Sequence, residues 1–212
     1  QINNPVLSSR DLMKIEGLHM PGLQAKKVSL LYYKNSSLAL ALDRLFVACD
    51  KAYYAGANIL ILSDRGVDEN HIAIPSLLAV SAVQQYLVRT KKRTAISIIL
   101  ESAEPRDVHH FATLFGYGAS AVNPYLAQDC IGELIAGGAL NKDYYAAVDA
   151  YNKAILDGVM RIASKMGISS MQSYEGAQIF EAVGICKDVV DRYFTNTVSR
   201  VGGIGLPEIN EA

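Results

Sequence analysis

The sequence predicts an α/β fold: a partial, barrel-like array of βα units with parallel strands, followed by a mainly helical C-terminal section. Three apolar runs carry this prediction, VSLLYY (28–33), ANILILSD (57–64) and AISIILES (95–102). After each run, apolar residues recur at every third or fourth position, as in a helix that packs on one face. Strands that alternate with helices in units of about 25–35 residues require crossover connections, which favour a parallel sheet.

The chain is expected to begin with an irregular arm, residues 1–27, because Pro5 and Pro21 accompany Gly17 and Gly22 there. VSLLYY is rich in strand-forming residues. Ser36 and Ser37 can cap the helix that follows it. That helix has apolar residues spaced by three or four, namely Leu38, Leu42, Leu45, Cys49 and Ala52.

The next two units repeat this order. ANILILSD is a continuous apolar run, which is typical of a strand covered on both faces. Pro75 can occupy the first turn of a helix that reaches about Arg89. AISIILES is a third strand, Pro105 opens another helix, and SAVNP (120–124) is a short fourth strand. A glycine, Gly56 or one of Gly116 and Gly118, can end the preceding helix in the left-handed conformation. The strand–helix units are thus expected to extend to about residue 127.

The remainder, residues 128–212, is expected to be mainly helical. Residues 143–166 form the clearest helical pattern in the chain. KMGISSMQSYEGAQIFEAVG (165–184) predicts a helix, a loop and a second helix capped by Ser173. RVGGIGLPEI (200–209) predicts a flexible turn, because its glycine spacing does not match a phosphate-binding loop. We predict one domain over residues 28–212.

Composition limits the partners of this chain. Of its 212 residues, 50% are hydrophobic and 19% are charged, and the formal net charge is −1. This balance predicts neither a nucleic-acid partner nor an anionic membrane surface. No apolar run reaches the roughly 20 residues of a membrane span. The three cysteines are widely spaced, which predicts inert thiols in a reducing compartment and no metal or cluster site.

The best place for a site is the carboxyl ends of the predicted strands, where parallel α/β folds bind ligands. Asp64, Arg65, Glu101 and Asn123 occupy these positions. A second interpretation is that Asp64 and Arg65 cap, pair or stabilise the turn SDRGVD, since such turns need polar residues in any case. The sequence favours this second interpretation.

Other polar residues are weaker candidates. Lys165 lies in the last turn of the long predicted helix and Gln172 in the polar segment after it, and both are candidates for contacts with a ligand or partner. His109 and His110 are adjacent on a predicted helix, so their side chains diverge by about 100° and cannot share one metal ion. The residues by themselves therefore identify no catalytic, cofactor-binding or metal-binding group.

Five segments in order carry a family resemblance. They are YAGANILILSDRGVD (54–68), IPSLLAVSAV (74–83), VHHFATLFGYGASAVNPYLA (108–127), SKMGISSMQSYEGAQIFEAVG (164–184) and SRVGGIG (199–205). Together they resemble the central domain of the large subunit of glutamate synthase, from about residue 5 to the C-terminus. Ser170, where the family pattern has Thr, is a small departure.

The resemblance implies an enzyme that makes two glutamates from glutamine and 2-oxoglutarate, with electrons from NADPH, NADH or ferredoxin. It implies an amidotransferase domain and a flavin-binding barrel with FMN and an iron–sulfur cluster as partners in the same polypeptide. The central domain then links these two domains and helps to frame ammonia transfer. No catalytic residue carries over, because residue 1 is Gln and the cysteines are dispersed.

The resemblance and the missing initiator Met lead to three further expectations. The chain is a processed or excised piece that is inactive by itself and associates with itself through apolar surface that its neighbours normally cover. Its location is the cytoplasm, or a plastid for a ferredoxin-dependent form. The alternative function is a flavin- or phosphate-binding α/β domain with its site at the strand ends.

Overall fold

A computed structural model describes residues 4–20 and 22–211. The N-terminal part contains α1 (Ser9–Glu16), β1 (His19–Met20), β2 (Leu23–Ser29), β3 (Leu31–Tyr33), α2 (Leu38–Tyr54), β4 (Ile59–Ser63), β5 (His71–Ala73), α3 (Ser76–Arg89), β6 (Ser97–Glu101), α4 (Val108–Gly116) and β7 (Ala121–Asn123). The C-terminal part contains α5 (Tyr125–Ala136), α6 (Tyr144–Lys165), α7 (Met171–Tyr174), β8 (Glu181–Ile185), α8 (Lys187–Tyr193), β9 (Val198–Ile204) and α9 (Leu206–Glu211).

The main sheet contains strands β1, β2, β4, β6 and β7, which lie side by side in chain order. The last four strands run parallel, and β1 pairs antiparallel with β2 at one edge. This arrangement confirms the predicted α/β class with parallel βα units. β3 and β5 form a separate antiparallel ribbon, and β8 and β9 form a parallel one.

Both faces of the main sheet are covered. On one face Leu60 and Leu62 are fully buried and belong to the large core beneath α2, α3 and α4. On the other face Ile61 and Ile99 pack with Leu12 of α1 in a second, smaller core. Coverage on both faces explains why these strands are continuous apolar runs, because neither face meets water.

The arm predicted to be irregular is ordered in most of its length. Residues 1–3 and Pro21 lie outside the described residues, but the rest of residues 1–27 forms α1, β1 and most of β2. Ser8 caps α1, and Val6 bridges to Val122 of β7. Sequence analysis missed these elements because α1 buries one residue fully, Leu12, and so has a weak apolar pattern.

Local rules placed most helix ends correctly. Ser37 caps α2, and its Oγ accepts a hydrogen bond from the N–H of Leu40 at 3.3 Å. Gly56 and Gly118 have φ of 93° and 114°, which is the conformation predicted for helix-ending glycines. Pro105 does not open α4: the helix begins at Val108 behind Asp107, whose carboxylate accepts from two backbone N–H groups.

The C-terminal section contains α6 as predicted. The segment that follows it, residues 165–184, differs from the predicted helix, loop and second helix. Ser170 caps the single turn α7, so Ser173 is not the cap. Residues 181–185 form strand β8 and not a helix. The turn predicted over residues 200–209 instead contains the end of strand β9 and the first part of α9. Strand pairing overrides the local pattern here. The pairing also requires a glycine at position 203, because a Cβ there would overlap the carbonyl of Gly184.

Candidate functional site

The four polar residues predicted at the strand ends lie side by side at the carboxyl ends of the parallel strands. Ser63 of β4 pairs with Glu101 of β6, which in turn pairs with Asn123 of β7. Asp64 follows β4, and its backbone N–H donates to the Glu101 carbonyl at 3.2 Å. We call Ser63, Asp64, Arg65, Glu101 and Asn123, with the side chains that bind them, the strand-end cluster.

Glu101 is the centre of this cluster. Its side chain is only 4% exposed. Ser63 Oγ donates to Oε2 at 2.6 Å, Arg65 Nε donates to Oε1 at 2.5 Å, and Lys27 Nζ lies 2.9 Å from Oε2. Burial raises the pKa of Glu101, but the hydrogen bonds from these three groups outweigh it and hold the pKa below its usual value of 4.5. The carboxylate is therefore ionised at neutral pH.

Asp64 and Arg65 are also held by neighbours within the fold. Ser102 Oγ donates to Asp64 Oδ2 at 2.6 Å, and the backbone N–H of Ala103 donates to the same carboxylate at 3.0 Å. The Arg65 guanidinium lies over the ring of Tyr125, 3.8 Å from its centroid. Burial, together with the Asp64 carboxylate, raises the pKa of the Tyr125 hydroxyl.

Asn123 binds the N-terminal arm. Its Nδ2 donates to the Leu7 carbonyl at 2.9 Å, and Gln128 Nε2 donates to the same oxygen at 2.9 Å. Gln128 also donates to Asn152 of α6 at 3.3 Å. No sequence pattern singles out Gln128 or Asn152, because each is one polar residue within a predicted helix. Both are buried, so this polar network joins the arm to β7, α5 and α6.

The chemistry open to the strand-end cluster is limited. Its hydrogen-bonding groups are directed at one another, and Ser63, Asp64, Glu101 and Asn123 are each 4% exposed or less. A carboxylate whose pKa is lowered by three donors is a weak general base at neutral pH. Asn123 Oδ1 is buried without a hydrogen-bond partner in the described part of the chain. These contacts hold the carboxyl ends of the strands together.

Lys165 and Gln172 do not join this cluster. Lys165 is exposed in the last turn of α6. Gln172 is exposed on α7 and borders a shallow depression that Ser120 and Glu175 also line. Ser120 precedes β7 and donates to Glu175 at 2.9 Å, so this depression lies at the opposite end of the sheet.

The cysteines and histidines do not converge either. Cys49 is buried in α2, Cys130 is exposed on α5, and Cys186 follows β8. An iron–sulfur cluster requires grouped thiolates, so these residues do not fit one. His109 and His110 are both exposed on α4. Across residues 4–20 and 22–211, no three His, Cys, Asp or Glu side chains are grouped as metal ligands, and no helix is long and apolar enough to cross a membrane.

Comparison with known proteins gives one consistent family. The family model described as the glutamate synthase central domain matches residues 1–186. The large chain of glutamate synthase [NADPH] from Bacillus subtilis is 47% identical over 211 residues, which cover 100% of this chain and 14% of that protein. Ferredoxin-dependent glutamate synthase 2 of Synechocystis is 38% identical, with 99% of this chain and 14% of that protein covered.

The matches also include an NADH form of the enzyme and solved structures. Glutamate synthase [NADH] of Schizosaccharomyces pombe is 34% identical over 97% of this chain and 10% of that protein. Among solved structures, ligand-free DHODH from Eimeria tenella has 15% identity and a TM-score of 0.49, covering 79% of this chain and 48% of that one. That TM-score is too low to define a shared fold.

Proposed function

The chain belongs to the glutamate synthase central domain family, and from this premise we propose that it is the connecting domain of a glutamate synthase large chain. In this role it links an amidotransferase domain to a flavin-binding synthase domain and helps to frame the transfer of ammonia between them. The whole polypeptide would make two glutamates from glutamine and 2-oxoglutarate. The observation that carries the proposal is the collinear match over 100% of the chain to a glutamate synthase large chain.

The strand-end cluster supports a connecting role over a catalytic one. Arg65 and Lys27 both bind Glu101, at the place where a parallel α/β fold would otherwise hold a ligand. A flavin or phosphate at this edge would have to displace these contacts and leave Glu101 buried without its cations, which is costly. The alternative of a flavin- or phosphate-binding domain is therefore not favoured. FMN and the iron–sulfur cluster would belong to other domains of the same polypeptide.

The β8–β9 ribbon supports contact with a neighbouring domain. Four of its apolar side chains are about half exposed or more: Val183, Val198, Val201 and Ile204. Parallel strands are normally covered on both faces, and a contiguous apolar surface is typical of an interface. We propose that another domain of the polypeptide covers this ribbon, and that the chain without that domain associates with itself.

The electron donor and the location depend on the rest of the polypeptide. The relatives include NADPH, NADH and ferredoxin forms, so similarity over this chain does not select among them. We propose a cytoplasmic location, or a plastid if the donor is ferredoxin.

The proposal is tested in the full polypeptide, where glutamate formation from 2-oxoglutarate is measured separately with glutamine and with ammonia. We expect Val201→Glu in the ribbon to reduce the glutamine-dependent rate more than the ammonia-dependent rate, because misplaced domains lose ammonia to solvent. Val88→Glu is the matched control, since Val88 is 50% exposed on α3. No glutamate synthase activity in the full polypeptide, or glutamine turnover by the 212-residue chain alone, would contradict the proposal.

A further inference from the structure

The two edges of the main sheet are closed to different extents. At the β7 edge, the arm pairs with the strand: the N–H of Val122 donates to Pro5 O and the N–H of Leu7 donates to Val122 O, both at 2.8 Å. At the β2 edge, β1 reaches only Leu23 and Gln24. The rest of β2, from Ala25 to Ser29, has no neighbouring strand on that side among residues 4–20 and 22–211.

The backbone of β2 shows which groups are free. The N–H of Leu30 donates to Ser63 O, and Gln24 O accepts from the N–H of Asn58, so even-numbered residues face β4. Successive residues of a strand direct their N–H and C=O groups to opposite sides. Ala25, Lys27 and Ser29 therefore direct theirs away from β4. The first of these residues adjoins β1, but in the described part of the chain the backbone groups of Lys27 and Ser29 on this side have no hydrogen-bond partner.

An open groove of about 800 Å³ lies beside this edge. One wall is β2 and the floor is α2, from which Ala41, Ala48 and Ala52 line the groove, together with Ala55 just after the helix. Side chains on one face of an added strand could contact this floor, while the strand's backbone reached the free groups of β2.

The rim of the groove is basic. Lys26, Arg44 and Lys51 line it, and none of the three lies within 4 Å of a carboxylate in the described ranges, 4–20 and 22–211. Of the acidic residues, only Asp68 lines the groove, and its carboxylate is 3.0 Å from His71 Nδ1. Three cations without partners favour an acidic occupant. Lysines also protect an exposed edge from random pairing, so a partner must supply opposite charge.

We propose that the open edge of β2 and the groove beside it bind an extended acidic segment of the same, longer polypeptide, which pairs with Lys27 and Ser29 as a further strand. This inference rests on the proposed function, because it requires domains beyond this chain. It differs from the ribbon interface in position and in chemistry: here backbone pairing and charge select the partner.

Hydrogen exchange read at single residues in the full polypeptide tests the proposal. We expect the amides of Lys27 and Ser29 to exchange at least about 100-fold more slowly there than in the 212-residue chain, since pairing requires local opening before exchange. The amides of Val28 and Leu30, which face β4, are the internal reference and should be protected in both. Equal exchange of Lys27 and Ser29 in the two proteins would overturn the proposal.

A charge variant identifies the occupant. In the full polypeptide, Lys26→Glu combined with Arg44→Glu and Lys51→Glu should return Lys27 and Ser29 to fast exchange. The matched control changes three exposed cations elsewhere, Lys142→Glu, Lys153→Glu and Arg161→Glu, and should leave exchange slow. If Lys27 and Ser29 still exchange slowly in the groove variant, the proposal that the bound segment is acidic is overturned.

The source of the strand and the proposed function are separated by two further readouts. Protection that rises with concentration of the 212-residue chain alone would assign the edge to a second copy and overturn the proposal. Glutamate formation is measured on the same full-length samples. Normal activity with fast Lys27 exchange would refute the docked strand alone, whereas absent activity would refute the proposed function.

Discussion

Two helical glycines of this chain should respond oppositely to the same substitution. In an exposed helix interior, Gly→Ala normally stabilises by about 1 kcal/mol, because alanine has less backbone freedom to lose. Gly132 in α5 fits that rule: an added Cβ would lie 3.5 Å from Tyr144 Cε2, an ordinary contact. Gly158 in α6 does not, because its Cβ would lie 2.5 Å and 2.7 Å from the two Cγ atoms of Val108.

The net effect at Gly158 follows from the two opposing contributions. Overpacking of this kind costs about 1–3 kcal/mol, and a β-branched side chain at the start of α4 has few rotamers with which to yield. After subtracting the gain of about 1 kcal/mol, Gly158→Ala should destabilise by up to about 2 kcal/mol. Gly132→Ala should stabilise, with Tm rising by about 2–4 °C per kcal/mol for a chain of this size.

Urea unfolding followed by circular dichroism measures both variants against the parent chain. A double-mutant cycle provides the control: in a Val108→Ala background, Gly158→Ala should destabilise less than in the parent chain, because both clashing methyl groups are gone and only the contact with the Cβ at 3.2 Å remains. If Gly158→Ala stabilises the parent chain as much as Gly132→Ala does, the close contact between α4 and α6 is wrong.

Three other predictions concern buried polar groups and thiols. Glu101→Gln should lower the free energy of unfolding at pH 7 by about 1–3 kcal/mol. Because the folded pKa of Glu101 lies below 4.5, its charge stabilises above the unfolded pKa, and the deficit should shrink in acid urea titrations as pH falls through the folded pKa; a deficit that grows in acid would contradict this. Gln128→Ala should lower the free energy of unfolding by about 1–3 kcal/mol in the same assay, because the hydrogen bond to the Leu7 carbonyl is lost. An unchanged free energy of unfolding would show that the polar network does not stabilise the fold. Burial first, and nearby Asp50 second, raise the pKa of Cys49 to about 12, so a thiol reagent should react with exposed Cys130 at once and with Cys49 only after unfolding; rapid labelling of Cys49 in the folded chain would contradict its burial.

The strand–helix array was predictable because its pattern is local. ANILILSD and AISIILES each have a continuous apolar centre, ILIL and IIL, and the central residues of β4 and β6 are buried on both faces. The second ribbon was not predictable in this way. β8 is largely half-buried and contains one glycine, whereas β9 is exposed and contains two, so neither shows apolar alternation. Their pairing depends on the close approach at Gly184 and Gly203.

The position of the candidate site was predictable from the sequence, but the partners of its side chains were not. The topology of parallel strands places Glu101 and Asn123 at one edge, which the order of strands alone implies. Their partners come from segments distant in sequence: Lys27 is 74 positions before Glu101, and Gln128 is 121 positions after Leu7. No periodicity links such pairs, so the sequence could place Glu101 but could not predict that its charge is already bound.

The contacts at the strand ends favour one of the two interpretations that the sequence left open, namely that Asp64 and Arg65 stabilise the fold. A binding site would keep Glu101 and Arg65 available to a ligand, and burial would then raise the cost of each unpaired charge. In this fold, the cations that neutralise Glu101 come from β2 and from the turn after β4, so folding itself completes the pair. The groove at the β2 edge is the reverse case, because among residues 4–20 and 22–211 the three cations of its rim and the outward backbone groups of Lys27 and Ser29 have no partners. We therefore expect a neighbouring domain to contact this chain at the groove, which carries these cations, and at the β8–β9 ribbon, which has exposed apolar side chains.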